Sequence, residues 1–205
     1  MADLLENEPE LVDVATESED GRKRRSERSR EQIIEAMFEL VAQGELDPGA
    51  ARIAEVANVS LRTVFRHFEE VDGLYQEMNR RVKEEVMPIV KAPFSSTNWR
   101  DTVLELVDRR SEVFERIMPY RVCGSIRRFR SAYLMQGHQD FVAMERSILD
   151  SVLPEEIRSN VVIEAAFDSV LGFDTWRRLR QDRGLSVEEA RAAVRKLVEA
   201  LLASV

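Results

Sequence analysis

Between Ile53 and Leu74 the chain reads IAEVANVSLRTVFRHFEEVDGL, two short apolar-patterned runs broken at Asn58-Val59-Ser60. This break constrains the fold more than any other feature. After glycine, Asn is the residue that best tolerates a left-handed backbone, so Asn58 can turn the chain sharply. Ser60 is then a natural N-cap for a new helix. Upstream, Asp47-Pro48 pairs a good cap with a residue preorganised for the first helical position, which predicts a helix from about Pro48 to Ala57 with Ile53, Ala54 and Ala57 inward. The helix after the turn covers Leu61 to about Phe68. Helical spacing places Val64, Phe65 and Phe68 on its buried side, Leu61, Arg62 and Arg66 on its outer side, and Thr63 and His67 on the flanks.

The remaining pattern is helical as well. Ile33, Ile34, Met37, Phe38 and Val41 form an amphipathic stripe that begins around Ser26 to Ser29 and ends at Gly44. Leu74, Met78, Val82 and Val86 predict a fourth helix stopping near Pro88, followed by a KAPFSSTN loop capped by Thr97 or Asn98. Further helices are expected over about 99–117, 120–130, 133–152, 160–183 and 187–204, separated at Pro119, Ser131, Leu153-Pro154 and Gly184-Leu185-Ser186. Ser186 with Glu189 makes a capping box. The composition agrees with an all-α protein, at 44% hydrophobic and 33% charged residues with 8 Gly and 6 Pro in 205 residues.

The formal charge of −8 belongs to the first 20 residues, which carry eight acids, Asp3, Glu6, Glu8, Glu10, Asp13, Glu17, Glu19 and Asp20, and no Lys or Arg. GRKRRSERSR follows at once. Such a block serves either as a basic arm for DNA phosphates or as a solvated leader. Residues 1–25 are accordingly expected to be a disordered leader, acidic and then basic. No apolar run approaches the length of a membrane span and the N-terminus lacks a secretory pattern, so the expected location is the cytoplasm. The single Cys123 excludes an intramolecular disulfide, and His67 and His138 leave no zinc cluster, so no metal and no cofactor are expected.

Two short helices joined by a tight turn, the second exposing Arg62, Thr63 and Arg66, are consistent with a helix-turn-helix entering a DNA major groove or with an ordinary surface helix. Arginine can donate bidentate hydrogen bonds to guanine, and Thr, His and the helix N-terminus at Ser60 suit phosphate. The chain has no Gly-rich phosphate loop, no Cys/His dyad and no distinctive carboxylate cluster, so no catalytic residues and no enzyme activity are expected.

The run Ile53-Ala54, Ala57-Asn58-Val59-Ser60, Thr63-Val64-Phe65, His67-Phe68 and Leu74 resembles the DNA-binding domain of the TetR family of transcriptional regulators. The upstream Ile34, Ala36, Phe38 and Gly44 match too, and Phe173 to Leu202 is similar to the last two helices of many such proteins. The resemblance implies a helix-turn-helix DNA-binding domain over 26–76 and a helical effector-binding and dimerisation domain over 77–205. It implies a homodimer through the last two helices, reading a double-stranded DNA operator and released as a repressor by a small hydrophobic ligand. Carried onto this chain, base contacts fall to Leu61, Arg62 and Arg66, and phosphate contacts to Ser60, Thr63 and His67.

Three positions depart from the family pattern. Asn58 replaces a glycine, Phe65 stands at the usual Tyr and Val71 at the usual Lys, which removes two expected backbone contacts and keeps open a helical small-molecule sensor or interaction module with weakened or lost DNA binding. Arg22, Lys23, Arg24 and Arg25 are then expected to act as a compensating basic arm, with the acidic leader competing for it.

In the C-terminal half, Val161, Val162, Ala165, Ala166, Ser169, Val170 and Phe173, with Ala190, Ala193, Val194, Leu197, Leu201 and Leu202, exceed what one core face requires. They suit either pairing across a two-fold axis or the core of a single chain. Pocket candidates are Phe94, Trp99, Phe114, Met118, Tyr120, Cys123, Tyr133, Met135, His138, Phe141, Met144, Phe167 and Trp176, each also compatible with plain core or surface. Arg121, Arg127, Arg128 and Arg130 suit either an anion or an exposed basic face.

Overall fold

Helix α1, Val14–Ala42, carries the basic block into the body of the protein. A computed structural model describes the backbone of residues 14–205 and the side chains of 20–205. The acids Asp3, Glu6, Glu8, Glu10 and Asp13 lie outside the described residues. Helix was expected only from Ser26 onward, yet α1 includes Arg22, Lys23, Arg24 and Arg25. A helix propagates readily once nucleated. Here Arg24 pairs with Asp20 one turn back at 2.8 Å, and Arg25 Nε donates to the Gly21 carbonyl. The end of α1 is a Schellman cap: Gly44 has φ +91°, its N–H donates to Val41 O, and Glu45 N–H donates to Leu40 O.

Helix α2, Ala50–Val56, starts later than Asp47-Pro48 suggested, with Gly49 as its N-cap. Asp47 has another use, because its carboxylate accepts from Tyr75 Oη at 3.2 Å and from Arg127 Nη1 at 2.9 Å. The turn to α3, Leu61–His67, repeats the α1 cap with asparagine: Asn58 has φ +51°, Asn58 N–H donates to Glu55 O and Val59 N–H to Ala54 O. Ile33, Ile34, Met37 and Leu40 of α1, Ile53 of α2, Val64 and Phe68 of α3 and its C-cap, and Leu74, Tyr75 and Met78 beyond them are buried together. Arg30 belongs to this packing as well, over the Phe68 ring at 5.2 Å and 3.3 Å from Glu77.

Helix α4, Val71–Val90, runs through Pro88 and across the boundary expected at residue 76, so it contributes to both halves. Glu77, on α4 itself, is an anchor, with Arg30, Arg80 and Arg81 in salt-bridge range. The Arg80 hydrogen bond leads these in holding its carboxyl down at about 2. Glu31 of α1 receives both Nη atoms of Arg81, at 2.5 and 2.6 Å.

Helix α5, Trp99–Arg127, begins at the Asn98 cap and continues through Pro119, where a break was expected. Proline costs a helix interior about 3 kcal/mol. Burial of Val113, Phe114, Ile117 and Cys123 on either side of Pro119 offsets that cost. Around α5 stand α6, Ala132–Val152, the short α7, Glu155–Arg158, α8, Val161–Leu171, α9, Phe173–Arg177, which passes into a π turn over Arg178–Asp182, and α10, Val187–Ala203. The Ser186/Glu189 capping box starts α10 as expected. The described residues contain no strand, and no helix among them is long and apolar enough to cross a membrane.

The single helix expected over 160–183 is broken at Gly172, which is extended at φ −76°, ψ 156°. A Cβ there would come within 3.0 Å of the Asp168 carbonyl. The break orphans Leu171 C=O and Phe173 N–H inside the core. Two buried charged side chains take them up, as Arg110 Nη1 donates to Leu171 O at 2.9 Å and Glu145 Oε1 accepts from Phe173 N at 3.2 Å.

Candidate functional site

Helix α3 is built from its cap outward. Ser60 Oγ accepts from Thr63 N–H at 3.1 Å and shares a hydrogen bond of 2.8 Å with Thr63 Oγ1. Both hydroxyls therefore belong to the start of the helix, beside its free amides. Val64 and Phe68 turn inward, whereas Leu61, Arg62 and Arg66 are exposed and Thr63 and His67 are half-buried. Neither Arg62 nor Arg66 has an acidic partner among the described residues; Arg66 Nη2 reaches only His67 Nε2, at 3.5 Å. Burial, with Arg66 and Arg30 close by, lowers the His67 pKa, so its ring is neutral at pH 7.

Phe65 corrects the sequence reading. It was expected in the core but is 46% exposed. With only two turns, α3 fills its core seam with the i, i+4 pair Val64 and Phe68, and Phe65, about 100° further round, joins the outer face. Leu61, Arg62, Phe65 and Arg66 thus form one surface, part apolar and part cationic. The signal for Phe65 was available, because it stands where the TetR pattern has a surface tyrosine.

A second feature lies behind this unit. Helices α4, α5 and α6 and the start of α9 enclose a cavity of about 580 Å³. Among the aromatic, Met and His candidates, Tyr120, Tyr133, His138, Phe141 and Met144 line it, together with Val82, Val86 and Ile117. The others do not. Phe114, Cys123, Phe167 and Trp176 are core, Phe94 lies under Arg109 and Trp99 under Arg100, and Met118 and Met135 are half-buried elsewhere.

The four arginines considered as one basic face separate in space. Arg121 and Arg128 line the cavity, Arg127 binds Asp47 and Asp72, and Arg130 is exposed.

On the far side, α8 and α10 pack together and leave Val161, Val162, Ala165 and Ser169 exposed beside Leu197 and Ala200. Val162 is 74% exposed and Leu197 47%. Phe173, Ala190, Val194 and Leu202, from the same two sequence stripes, are instead buried in the chain's own core.

A capped three-helix head with an outward cationic helix, joined through a shared helix to a helical body with an internal cavity, has the architecture of an all-α helix-turn-helix protein. No family model matches the chain, and no curated protein matches its sequence. Among solved structures, a Rhodococcus sp. protein assigned to the TetR family of transcriptional regulators superposes with a TM-score of 0.57 over 84% of this chain and 98% of that one, at 17% identity. The chain therefore has a TetR-like fold.

Proposed function

We propose that this chain is a sequence-specific DNA-binding transcriptional regulator of TetR type, acting in the cytoplasm as a homodimeric repressor that a small ligand releases. The observation that carries this reading is α3, a helix fixed by the Ser60 cap and by buried Val64 and Phe68, which presents Arg62 and Arg66 outward with no acidic partner among the described residues. Unspent guanidinium groups on a rigid helix suit guanine edges in a major groove. Leu61 and Phe65 add apolar contact of the kind a thymine methyl accepts. Ser60, Thr63 and His67 lie beside the helix start and flank, in reach of backbone phosphates. Arg22, Lys23, Arg24 and Arg25 extend the same unit as consecutive positions spread around α1, so only part of this basic block can face DNA at once.

The exposed apolar strip of α8 and α10 supports dimerisation as a four-helix bundle, which sets two α3 helices against half-sites about 34 to 36 Å apart. The cavity supports a ligand that favours one spacing of the two heads over another.

Selection of binding sites from a random duplex library with the full chain tests the reading. The expected product is a pseudo-palindrome whose half-sites are about one helical turn, or a multiple of it, apart. Recovery of no consensus would favour a ligand sensor without DNA binding, the reading that Phe65 and Val71 keep open.

A further inference from the structure

We infer that the cavity takes an amphiphile with an anionic head, bound by Arg121, Arg128 and His138; this rests on the proposal that the cavity is an effector site. Arg121 of α5 and Arg128, its C-cap, come together onto one imidazole of α6. Arg128 Nη1 lies 3.0 Å from Nδ1 and 3.1 Å from Nε2 of His138, and Arg121 Nη2 lies 3.3 Å from Nδ1. No carboxylate forms a salt bridge with either arginine among the described residues. The imidazole is a poor substitute. Both guanidinium groups are donors only, and a neutral ring offers one acceptor nitrogen between them. Most of their N–H groups are left unspent, and Arg128 Nε is buried without any partner.

The surroundings strengthen the point. The Arg121 guanidinium lies over the Phe141 ring at 3.7 Å and near Phe173 at 5.1 Å, a dry setting for a cation. Burial foremost, with Arg128 beside it, brings its pKa down to about 10 against the pull of Glu145 and Asp174, and burial with the two arginines lowers that of His138, so the ring enters as an acceptor rather than a third cation. Glu145 and Asp174 act on Arg121 through space, but no acid forms an ion pair with the cluster among the described residues. Asp140 and Asp174 are exposed, Asp140 accepts from Gln136 and Asp174 lies 3.9 Å from Arg177. Buried Glu145 spends an oxygen on Phe173 N–H and is pushed up to about 7. Of the other cations on the cavity wall, Arg80 is taken by Glu77 and Glu84, while Lys83 adds to the positive side.

Two like charges held this close on a largely apolar wall repel each other, at a cost to stability. A carboxylate, sulfonate or phosphate monoester would accept from both guanidiniums and remove that cost. The rest of the wall, Val82, Val86, Ile117 and Met144, is apolar and asks for a hydrocarbon tail.

The test is calorimetric titration of the full chain with dodecanoate and with 1-dodecanol below their aggregation concentrations, for the wild type, Arg121→Met, Arg128→Met and Arg128→Lys. Dodecanoate is expected to bind about tenfold or more tighter than the alcohol, the range set by a charge-assisted hydrogen bond. Either methionine variant should cut that preference to about threefold or less, through weaker dodecanoate binding, and Arg128→Lys should keep part of it. Circular dichroism identifies any variant that has lost its fold, and the lysine variant serves in its place. Equal binding of acid and alcohol by the wild type, or an acid preference that survives both methionine variants, overturns the inference. DNA release is scored separately. Binding of dodecanoate without release leaves the anion site standing and removes its regulatory role, whereas release by dodecanol alone does the reverse.

Discussion

Arg127 and Asp47 are eighty residues apart in sequence and 2.9 Å apart in the fold. The same guanidinium donates through Nε to Asp72 at 3.1 Å, and Tyr75, which also binds Asp47, meets Cys123 Sγ at 3.7 Å. The last turn of α5 is thereby tied to the α1–α2 loop and to the start of α4, and Arg128 of the cavity is its next residue. A shift of this turn would pull directly on the head that carries α3.

Loss of that tie should uncouple the two halves. Arg127→Met is expected to cost only about 1 kcal/mol in stability, since the pairs are partly exposed and screened. Ligand binding and dimerisation should be retained, while the change in DNA affinity caused by a bound ligand shrinks several-fold. Anisotropy titrations of operator with and without ligand measure this, and an undiminished ligand effect would show that the coupling runs elsewhere.

The placement of Phe65 makes a contrast with Phe68. Phe65→Ala should change unfolding free energy by less than about 1 kcal/mol, because the ring is on the surface. Phe68→Ala, in the core, should cost about 3–5 kcal/mol. DNA affinity should fall in the Phe65 variant despite its intact fold. Denaturant midpoints compare the two, and equal losses would return Phe65 to the core.

Glu145 gives a pH signature. Burial raises its carboxyl from 4.5 to about 7, against the pull of Arg110 and Arg121. A raised folded-state pKa means that protonation favours the native state, so this contribution is complete below about 4.5 and is lost as pH rises through about 7. His67 and His138 have lowered pKa values and act in the opposite sense, losing their contribution as pH falls below 6.5. Glu145→Gln keeps a neutral side chain throughout. The stability difference, wild type minus variant, should therefore decline between pH 5 and 8, and parallel urea-midpoint curves would contradict the assignment.

The strip on α8 and α10 should hold the dimer. Val162→Glu and Leu197→Glu sit at exposed positions of the single chain, so each should leave the fold intact and produce a monomer with much weaker operator binding. Light scattering after size exclusion reads the mass. A dimer that survives both substitutions would place the interface on another face.

Local chemistry made the head legible from sequence. The left-handed backbone at Asn58, the Ser60 cap and the Ser186/Glu189 box each depend on residues close in the chain, and each stands where it was expected. What sequence could not show depends on distant partners. Asp47 looked like a cap until Tyr75 and Arg127 claimed its carboxylate, and Pro119 looked like a breaker until the core around α5 overrode it. The helix expected over 160–183 gave no sign of the break at Gly172, because the side chains that repair it, Arg110 and Glu145, lie far along the chain. The cation pair of the cavity was hidden for a related reason: four arginines of one stretch look alike until the packing sends two inward.

Recognition through α3 is the central claim, and a mobility shift with the gene's own upstream region at two salt concentrations tests it most directly. The wild type should bind specifically and lose affinity as salt rises. Arg62→Ala and Arg66→Ala should each lose about 1–3 kcal/mol of discrimination between operator and scrambled duplex. Deletion of residues 1–25 should instead weaken both duplexes and flatten the salt slope by about one for each phosphate contact removed. Salt-independent or sequence-indifferent behaviour of the wild type, or unchanged discrimination in both arginine variants, would contradict the account.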